Sequence, residues 1–296
     1  MFIKLHEPNP YITYLLSVDG RITFHDNDRI YLYRYQLGLE GERIFYQQLK
    51  DIMEGVKLWD VTLDEHGQSQ YDFLIVVNRV IYHIDIKNFS GSYAFKTDNF
   101  ISSNGRNYKN IMSQLQAAHD RLERIVKQQG WPYEVVSRIL FINPHFSITN
   151  YDGNPNIWFS NQLDPFIKNL QQNTTYKMDL IVAEQLLSLH RPFNYERIHY
   201  YPFEQMKPGI RCPRCRNIGK MKVPHNTHLI YCKCGHSYVK KEMLMEVCKE
   251  LSIINKGKLT VRLVCMWSGI PERSVRRFLS THFQAFGQNK GRYYMM

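Results

Sequence analysis

The chain lacks an apolar run long enough to cross a membrane, and its first residues lack the pattern of a secretory signal. Residues 73–77 are typical of its longest apolar runs, whereas a spanning helix needs about 20 apolar residues. Internal repeats and low-complexity tracts are absent as well. We therefore expect a soluble cytoplasmic protein without membrane association, whose 296 residues are enough for two or three domains.

Acidic residues are scarce in the last third of the chain. Residues 206–296 contain 18 lysines and arginines but 4 aspartates and glutamates, a net charge of +14, whereas residues 1–205 carry a net charge of −3. A strongly basic segment favours nucleic acid or another anionic surface, because binding releases condensed counterions. No lipid-seeking amphipathic helix is evident there. We therefore expect a nucleic-acid partner, with DNA as the preferred candidate.

Two β-rich segments, residues 71–77 and 80–87, are separated by two residues, which predicts a hairpin. If the residues next to the turn pair with each other, Asp72 lies directly opposite Asp85. Side chains alternate along a strand, so Asp85 and Lys87 share one face. Two facing carboxylates repel each other unless a cation lies between them. With a lysine nearby, this pattern favours metal-assisted phosphodiester hydrolysis.

Other interpretations of the hairpin remain open. Asp72 could cap the entry of its strand, and Asp85 and Lys87 could form a surface ion pair at a strand end. The turn residues are Asn78, which tolerates a left-handed conformation, and Arg79, which stands where glycine is expected.

Two segments with helical period add polar residues. A helix over residues 42–53 would place Glu42 on its apolar, core-facing side, where a carboxylate needs a partner. The alternative is a first-turn glutamate stabilised by the helix dipole. A second helix, beginning at Asn110, would place Gln114 at the edge of its apolar stripe, either bonded inward or solvated.

These residues together resemble the NERD (nuclease-related) domain, which is grouped with the PD-(D/E)xK nuclease superfamily. The resemblance spans roughly residues 35 to 150 and is carried by Gly41-Glu42, Gln70-Tyr71-Asp72, the run from Ile84 to Gly91, Asn110 and Gln114. Its most specific part is the strand-turn-strand that ends in Asp85, Lys87, Asn88 and Gly91. The family more often has Glu where this chain has Asp85, and the superfamily pattern allows either.

The resemblance implies an α/β fold with a PD-(D/E)xK nuclease-like core, a central mixed sheet flanked by helices. It implies a Mg²⁺-dependent (or Mn²⁺-dependent) centre with Glu42, Asp72 and Asp85 as metal ligands. Lys87 matches the catalytic lysine of the pattern, and Gln114 matches its accessory polar residue. Family membership does not by itself guarantee activity.

Four of the six cysteines form two close pairs, Cys212-x₂-Cys215 and Cys232-x-Cys234. In a chain without a secretion signal, such pairs predict a tetrahedral structural Zn²⁺ site rather than disulfides. Residues 219–231 between the pairs predict a small hairpin, and hence a zinc ribbon whose metal supplies folding free energy. His236 remains a possible substitute ligand.

The C-terminal segment predicts a winged helix-turn-helix-like module. Two short helices, over residues 260–267 and 272–280, are joined by a tight turn, with Thr260 as an N-cap and Pro271 at the start of the second. Candidate nucleic-acid contacts are Arg273, Arg276 and Arg277 on the second helix and Lys290 and Arg292 in the following wing. The alternative is a helical cap with solvated arginines.

We therefore predict three domains: a NERD-type nuclease domain (1–205), a zinc ribbon (206–238) and a basic nucleic-acid-binding module (239–296). The function hypothesis is Mg²⁺-dependent cleavage of phosphodiester bonds in DNA. The alternatives are a nucleic-acid-binding regulator with an inactive nuclease fold, and an assembly factor that uses its ribbon and basic tail for protein contacts.

Overall fold

The structure is a computed structural model that describes residues 1–65, 67–96, 99–105, 107–108, 111–151, 153–192 and 198–296. These residues contain the helices α1 (Pro10–Val18), α2 (Asp26–Leu49), α3 (Ile111–Gln128), α4 (Leu163–Gln172), α5 (Lys177–Ser188), α6 (Lys240–Ile254), α7 (Val261–Ser268) and α8 (Glu272–His282). The strands are β1 (Phe2–Lys4), β2 (Val56–Leu63), β3 (Ser69–Val77), β4 (Val80–Lys87), β5 (Gly91–Lys96), β6 (Asn99–Ser102), β7 (Asn107–Tyr108), β8 (Glu134–Phe141), β9 (Phe146–Thr149), β10 (Ile157–Phe159), β11 (Met221–Lys222), β12 (Leu229–Cys232), β13 (Ser237–Val239), β14 (Gln284–Phe286) and β15 (Tyr293–Met295). Within the described part of the chain, no helix is long and apolar enough to cross a membrane.

The chain divides into two compact units, and each is described by itself. The first unit comprises Met1–Glu7 and Tyr33–Asn194, and the second comprises Pro8–Leu32 and Tyr195–Met296. This division differs from the predicted three domains, because an N-terminal segment clusters with the C-terminal part of the chain.

The first unit contains a six-stranded mixed sheet in the order β1-β2-β3-β4-β8-β10. The strands β2, β3 and β4 form an antiparallel meander, and β8 joins β4 in parallel. Alternating side chains of this sheet pack into two apolar clusters, one with α3 and α5 and the other with α2 and α4. The fold is therefore mixed α/β, with a central mixed sheet flanked by helices.

A second sheet of the first unit has the order β7-β6-β5-β9. Aromatic residues of this sheet pack with Phe141 of β8 and with the apolar side of the first turns of α3. The Phe141 and Phe146 rings stack with centroids 4.1 Å apart. Along the chain, β5 follows shortly after the end of β4, the strand that carries Asp85 and Lys87.

The second unit contains a three-stranded antiparallel sheet in the order β11-β12-β13, followed by α6, α7 and α8 and the hairpin β14-β15. Thr260 caps α7, its Oγ1 accepting the Leu263 amide at 3.2 Å. Gly269 ends α7 in the left-handed conformation, with a φ of 64°, which glycine adopts without steric cost. The turn between α7 and α8 follows from these two local signals.

A buried ion cluster explains why residues near the N-terminus belong to the second unit. The Arg21 guanidinium is fully buried, donates to Glu250 and lies 4.3 Å from the centre of the Trp267 ring. Arg211 Nε donates to the other Glu250 oxygen at 2.8 Å. Breaking a buried cluster of this kind leaves a charge without its partner. The cluster therefore links α6 and α7 to the turn that follows α1, because each of its buried charges needs a partner.

The structure confirms most of the predicted helices and corrects one. The predicted helix over residues 42–53 is wrong at both ends, since α2 runs from Asp26 to Leu49. Its N-terminal half carries exposed apolar residues such as Tyr33 and Leu37, which obscured the helical pattern there. The other helices predicted above correspond to α3, α7 and α8.

Candidate active site, metal centre and nucleic-acid interface

The hairpin of β3 and β4 has the predicted register, with Val77 paired to Val80. Both turn residues have positive φ, 47° at Asn78 and 63° at Arg79, as the two-residue turn requires. The ladder continues to the pair of Phe73 and Ile84 and stops there. The two aspartates therefore lie just beyond the end of the regular pairing.

Asp179 of α5 stabilises this turn, which sequence reasoning did not foresee. Its buried carboxylate accepts the amide of Asn78 at 3.1 Å and the Tyr133 hydroxyl at 2.7 Å. It also caps its own helix by accepting the Tyr176 amide at 2.7 Å. These contacts offset the cost of a left-handed arginine in the turn.

The structure brings Asp72, Asp85 and Lys87 together at the end of the hairpin. Asp72 Oδ2 accepts the backbone amide of Ile86 at 2.7 Å. Lys87 Nζ donates to Asp85 Oδ1 at 2.6 Å. The side chains of Asp85 and Lys87 are 17% and 23% exposed, so they do not form the surface ion pair considered above.

Glu42 reaches the same centre from the middle of α2. Its mid-helix position excludes the interpretation as a first-turn glutamate stabilised by the helix dipole. Trp59 Nε1 donates to Glu42 Oε2 at 2.6 Å, and Trp59 lies on β2, the neighbour of β3. The indole therefore fixes the direction in which this carboxylate points.

The pKa values at this centre indicate a surplus of negative charge. Burial and the charges of Glu42 and Asp85 raise the pKa of Asp72 well above its usual range. Burial also raises the pKa of Glu42. At Asp85 burial acts in the same direction, but the adjacent Lys87 ammonium outweighs it and lowers the pKa. Three carboxylates act against one ammonium here, and carboxylate oxygens are the ligand type that Mg²⁺ prefers, although their donor atoms are not all within 4.8 Å of one another among the described residues.

A neighbouring polar group was missed by sequence reasoning. Asp60 of β2 has a φ of 65° and lies where the register with β3 places it across from Asp72. His6 Nδ1 lies 2.8 Å from Asp60 Oδ2, and Gln70 donates to Asp60 Oδ1 at 2.9 Å. The one available signal was a carboxylate inside an otherwise apolar strand, since nothing local connects His6 to it.

One residue of the resemblance, Gln114, is not brought to the centre. Gln114 is an exposed residue of α3, so its accessory role stays a prediction. Asn110 lies outside the described residues. The apolar stripe that begins at Ile111 is buried as predicted.

The four predicted zinc ligands are close together in the second unit. Across the described ranges, Cys212, Cys215, Cys232 and Cys234 form the one group whose His, Cys, Asp or Glu donor atoms all lie within 4.8 Å of one another. The Sγ atoms of Cys212 and Cys234 are 3.7 Å apart. These distances suit a tetrahedral site with thiolate ligands.

Local hydrogen bonds favour the thiolate at Cys212, whereas burial and the neighbouring thiols raise the pKa of Cys232. Burial opposes ionisation of Cys212, but the Tyr238 hydroxyl and two backbone amides lower its pKa to about 6. His236 lies outside the group of four and contacts the Arg214 guanidinium. The cysteines alone therefore provide the complete donor set of a structural zinc site.

The predicted nucleic-acid contacts lie on the exposed side of α8 and in the hairpin after it. Val275, Phe278 and Leu279 are buried, whereas Arg273, Arg276 and Arg277 are exposed. Arg276 pairs with Glu272 on the same helix. Arg292 is exposed, and the side chain of Lys290 lies outside what the structure describes. The strands β14 and β15 pair at the position of the predicted wing.

Comparison with known proteins agrees with the site geometry. Residues 37–142 match the family model of the nuclease-related domain (NERD). The match covers about a third of the chain and includes all five residues of the predicted nuclease centre. No curated protein and no solved structure matches the chain. The fold and the site therefore define a mixed α/β chain that carries a nuclease-related domain.

We expect two isosteric substitutions at the centre to change stability in opposite directions at neutral pH without divalent cations. Asp72→Asn should raise the free energy of unfolding by roughly 0.5–1 kcal/mol, because a carboxylate with a raised pKa is unfavourable when ionised in the folded state. Asp85→Asn should lower it by roughly 1–3 kcal/mol, because Lys87 loses its closest partner. Urea unfolding of both variants checks this, and shifts of the same sign would contradict it.

We expect about one zinc ion per chain, bound by the four cysteines. Cys232→Ser should lower the zinc content and unfold the sheet β11-β12-β13, because structural zinc supplies much of the folding free energy of such small units. His236→Ala should retain the metal. Elemental analysis decides the point, and full zinc occupancy in Cys232→Ser with loss in His236→Ala would reverse the assignment.

Proposed function

We propose that this protein is a metal-dependent nuclease that hydrolyses phosphodiester bonds in DNA. The observation that carries the proposal is the convergence of Glu42, Asp72, Asp85 and Lys87, from one helix and two strands, inside the segment that matches the nuclease-related domain. A cluster kept only for stability would not concentrate three carboxylates whose mutual repulsion raises a pKa.

The carboxylates have distinct roles in this proposal. Asp72 and Asp85 would hold the Mg²⁺ or Mn²⁺ ion, and Glu42 would complete its ligand set directly or through water. A bound divalent ion supplies Lewis acidity toward the phosphate and lowers the pKa of a coordinated water. The amide of Ile86 holds Asp72, and the Trp59 indole holds Glu42, so both carboxylates are oriented before substrate arrives.

Lys87 supplies the positive charge of the centre. Burial opposes its ionisation, but Asp85 and Asp72 outweigh this and raise the pKa of the ammonium. It therefore stays protonated and can donate to a phosphoryl oxygen as negative charge develops, or orient the attacking water. Its location on the face of β4 that carries Asp85 would let both groups act on the same substrate phosphate.

The basic second unit would hold the nucleic acid. In this proposal α8, whose arginines are exposed, would enter a groove, and the hairpin β14-β15 would follow the backbone as a wing. A structural zinc ion on the four cysteines would keep the sheet β11-β12-β13 folded beside them. The first unit would then cut the strand that the basic second unit binds.

We expect Asp85→Asn and Lys87→Ala to abolish Mg²⁺-dependent cleavage of labelled DNA, because each removes a group that acts on the scissile phosphate. Asp164→Asn and Lys168→Ala are matched controls at exposed positions of α4 and should cut like the native chain. The assay should include single- and double-stranded DNA and RNA, with Mg²⁺, with Mn²⁺ and without a divalent ion. Undiminished cleavage by both centre variants would exclude this centre as the active site. A native chain that binds DNA but does not cleave it would favour the alternative, a regulator with an inactive nuclease fold.

We expect replacement of Arg273, Arg276 and Arg277 by alanine to weaken duplex binding and its salt dependence. The slope of log K against log salt should fall by about 0.9 for each phosphate contact that is lost. Arg124→Ala, at an exposed position of α3, is the control. Substitution is preferable to truncation, because Pro8–Leu32 belongs to the second unit. An unchanged salt slope in the triple variant would remove this helix from the interface.

A further inference from the structure

The sheet β11-β12-β13 exposes an aromatic side chain on the face opposite its buried side. Along β12, Ile230 and Cys232 are buried, and Tyr231 between them is 41% exposed. Val239 of β13 is 38% exposed and pairs with Leu229 on the same sheet. Tyrosine gains much from burial in a sheet, so a tyrosine presented outward beside other apolar groups indicates a contact surface.

The strand register surrounds Tyr231 with polar partners. Tyr231 pairs with Lys222 of β11 on one side and with Ser237 of β13 on the other. Directly opposite residues have Cβ atoms about 4.5–5.5 Å apart and lie on the same face. Lys222 and Ser237 are both exposed. The face therefore combines a flat aromatic ring with an ammonium and a hydroxyl within one side-chain length of it.

The positive charge of the segment that contains this sheet indicates the chemical class of its partner. Residues 206–241 contain nine lysines and arginines and no aspartate or glutamate. Around the sheet, Lys220 and Lys233 are exposed in addition to Lys222. A polyanion is the complementary partner for such a segment, and its charge disfavours a basic protein surface or a neutral one.

We infer that this face binds single-stranded nucleic acid, with a base stacked on Tyr231 and adjacent phosphates on Lys222 and its neighbouring lysines. Base faces are accessible in unpaired strands and covered in a duplex, so an aromatic platform with flanking lysines selects single strands. The exposed arginine face of α8 offers no aromatic ring of this kind among its described residues. The inference rests on the nucleic-acid binding in the proposed function and adds the kind of strand that is bound, but it does not depend on cleavage.

The test is fluorescence anisotropy of the full chain with labelled oligo(dT), oligo(rU) and a DNA duplex of equal length. The buffer contains neither Mg²⁺ nor Mn²⁺, which excludes cleavage, and no chelator, which preserves bound zinc. Tyr231→Ala should weaken single-strand binding roughly tenfold and leave duplex binding within about twofold, as expected for one lost stacked base. Tyr231→Phe should restore single-strand binding, because the ring rather than the hydroxyl stacks. Loss with only one of the two single strands supports the inference and identifies which of the two strands the face binds.

Two further variants separate stacking from charge. Lys222→Ala should reduce the salt slope for single strands by about 0.7, whereas Tyr231→Ala should leave that slope unchanged. Tyr33→Ala, at a 63% exposed tyrosine of α2 in the first unit, is the matched control and should bind like the native chain. Zinc content equal to that of the native chain shows that each variant retains its fold.

The outcomes distinguish this inference from the proposed function. Single-strand binding that is unchanged in Tyr231→Ala overturns the inference alone and reassigns the face to a protein contact. Equal weakening of duplex and single-strand binding in Tyr231→Ala also overturns it, because stacking would then not select the strand. A native chain that binds neither form overturns the proposed function as well.

Discussion

The register of the hairpin β3-β4 is the constraint on which the candidate active site depends. A slip of one residue would turn every side chain of β4 to the other face of the sheet, and Asp85 and Lys87 would leave the centre. The turn sequence alone specifies the register weakly, because Arg79 has to adopt a left-handed conformation. Asp179 of α5 supplies what the turn lacks by accepting a turn amide. A helix residue 101 positions away from Asn78 in the sequence therefore helps to position the strand that carries Asp85 and Lys87.

Each unit contains a buried centre of unbalanced charge, and the two have opposite signs. In the first unit, three carboxylates outnumber the ammonium of Lys87 and raise the pKa of Asp72. In the second, two arginines share the carboxylate of Glu250. In the first centre, the side chains of Asp85 and Lys87 stay 17% and 23% exposed. The second is closed by backbone carbonyls and the Trp267 ring, and it suits a structural role.

In the proposals made above, the second unit binds nucleic acid through two surfaces of different chemistry. The exposed arginines of α8 provide donors for the phosphates and base edges of a groove. The outer face of β11-β12-β13 provides a ring and lysines for an unpaired strand. A nuclease with both surfaces would engage a junction between duplex and single strand, so that the geometry of the substrate, rather than its base sequence, would direct cleavage.

Local physics in the sequence by itself determined the two strands of the hairpin, the caps of α7, the cysteine pairs and the charge split, because each depends on residues close together in the chain. The carboxylates of the centre were also predictable, since strand alternation and helical period place them. Tertiary structure alone decided which distant side chains contact each other: Trp59 donates to Glu42, His6 contacts Asp60, Asp179 accepts from the turn and Arg21 donates to Glu250. It also left Gln114 exposed. Each of these contacts joins residues far apart in sequence, and periodicity carries no information about which distant side chain will satisfy a buried charge.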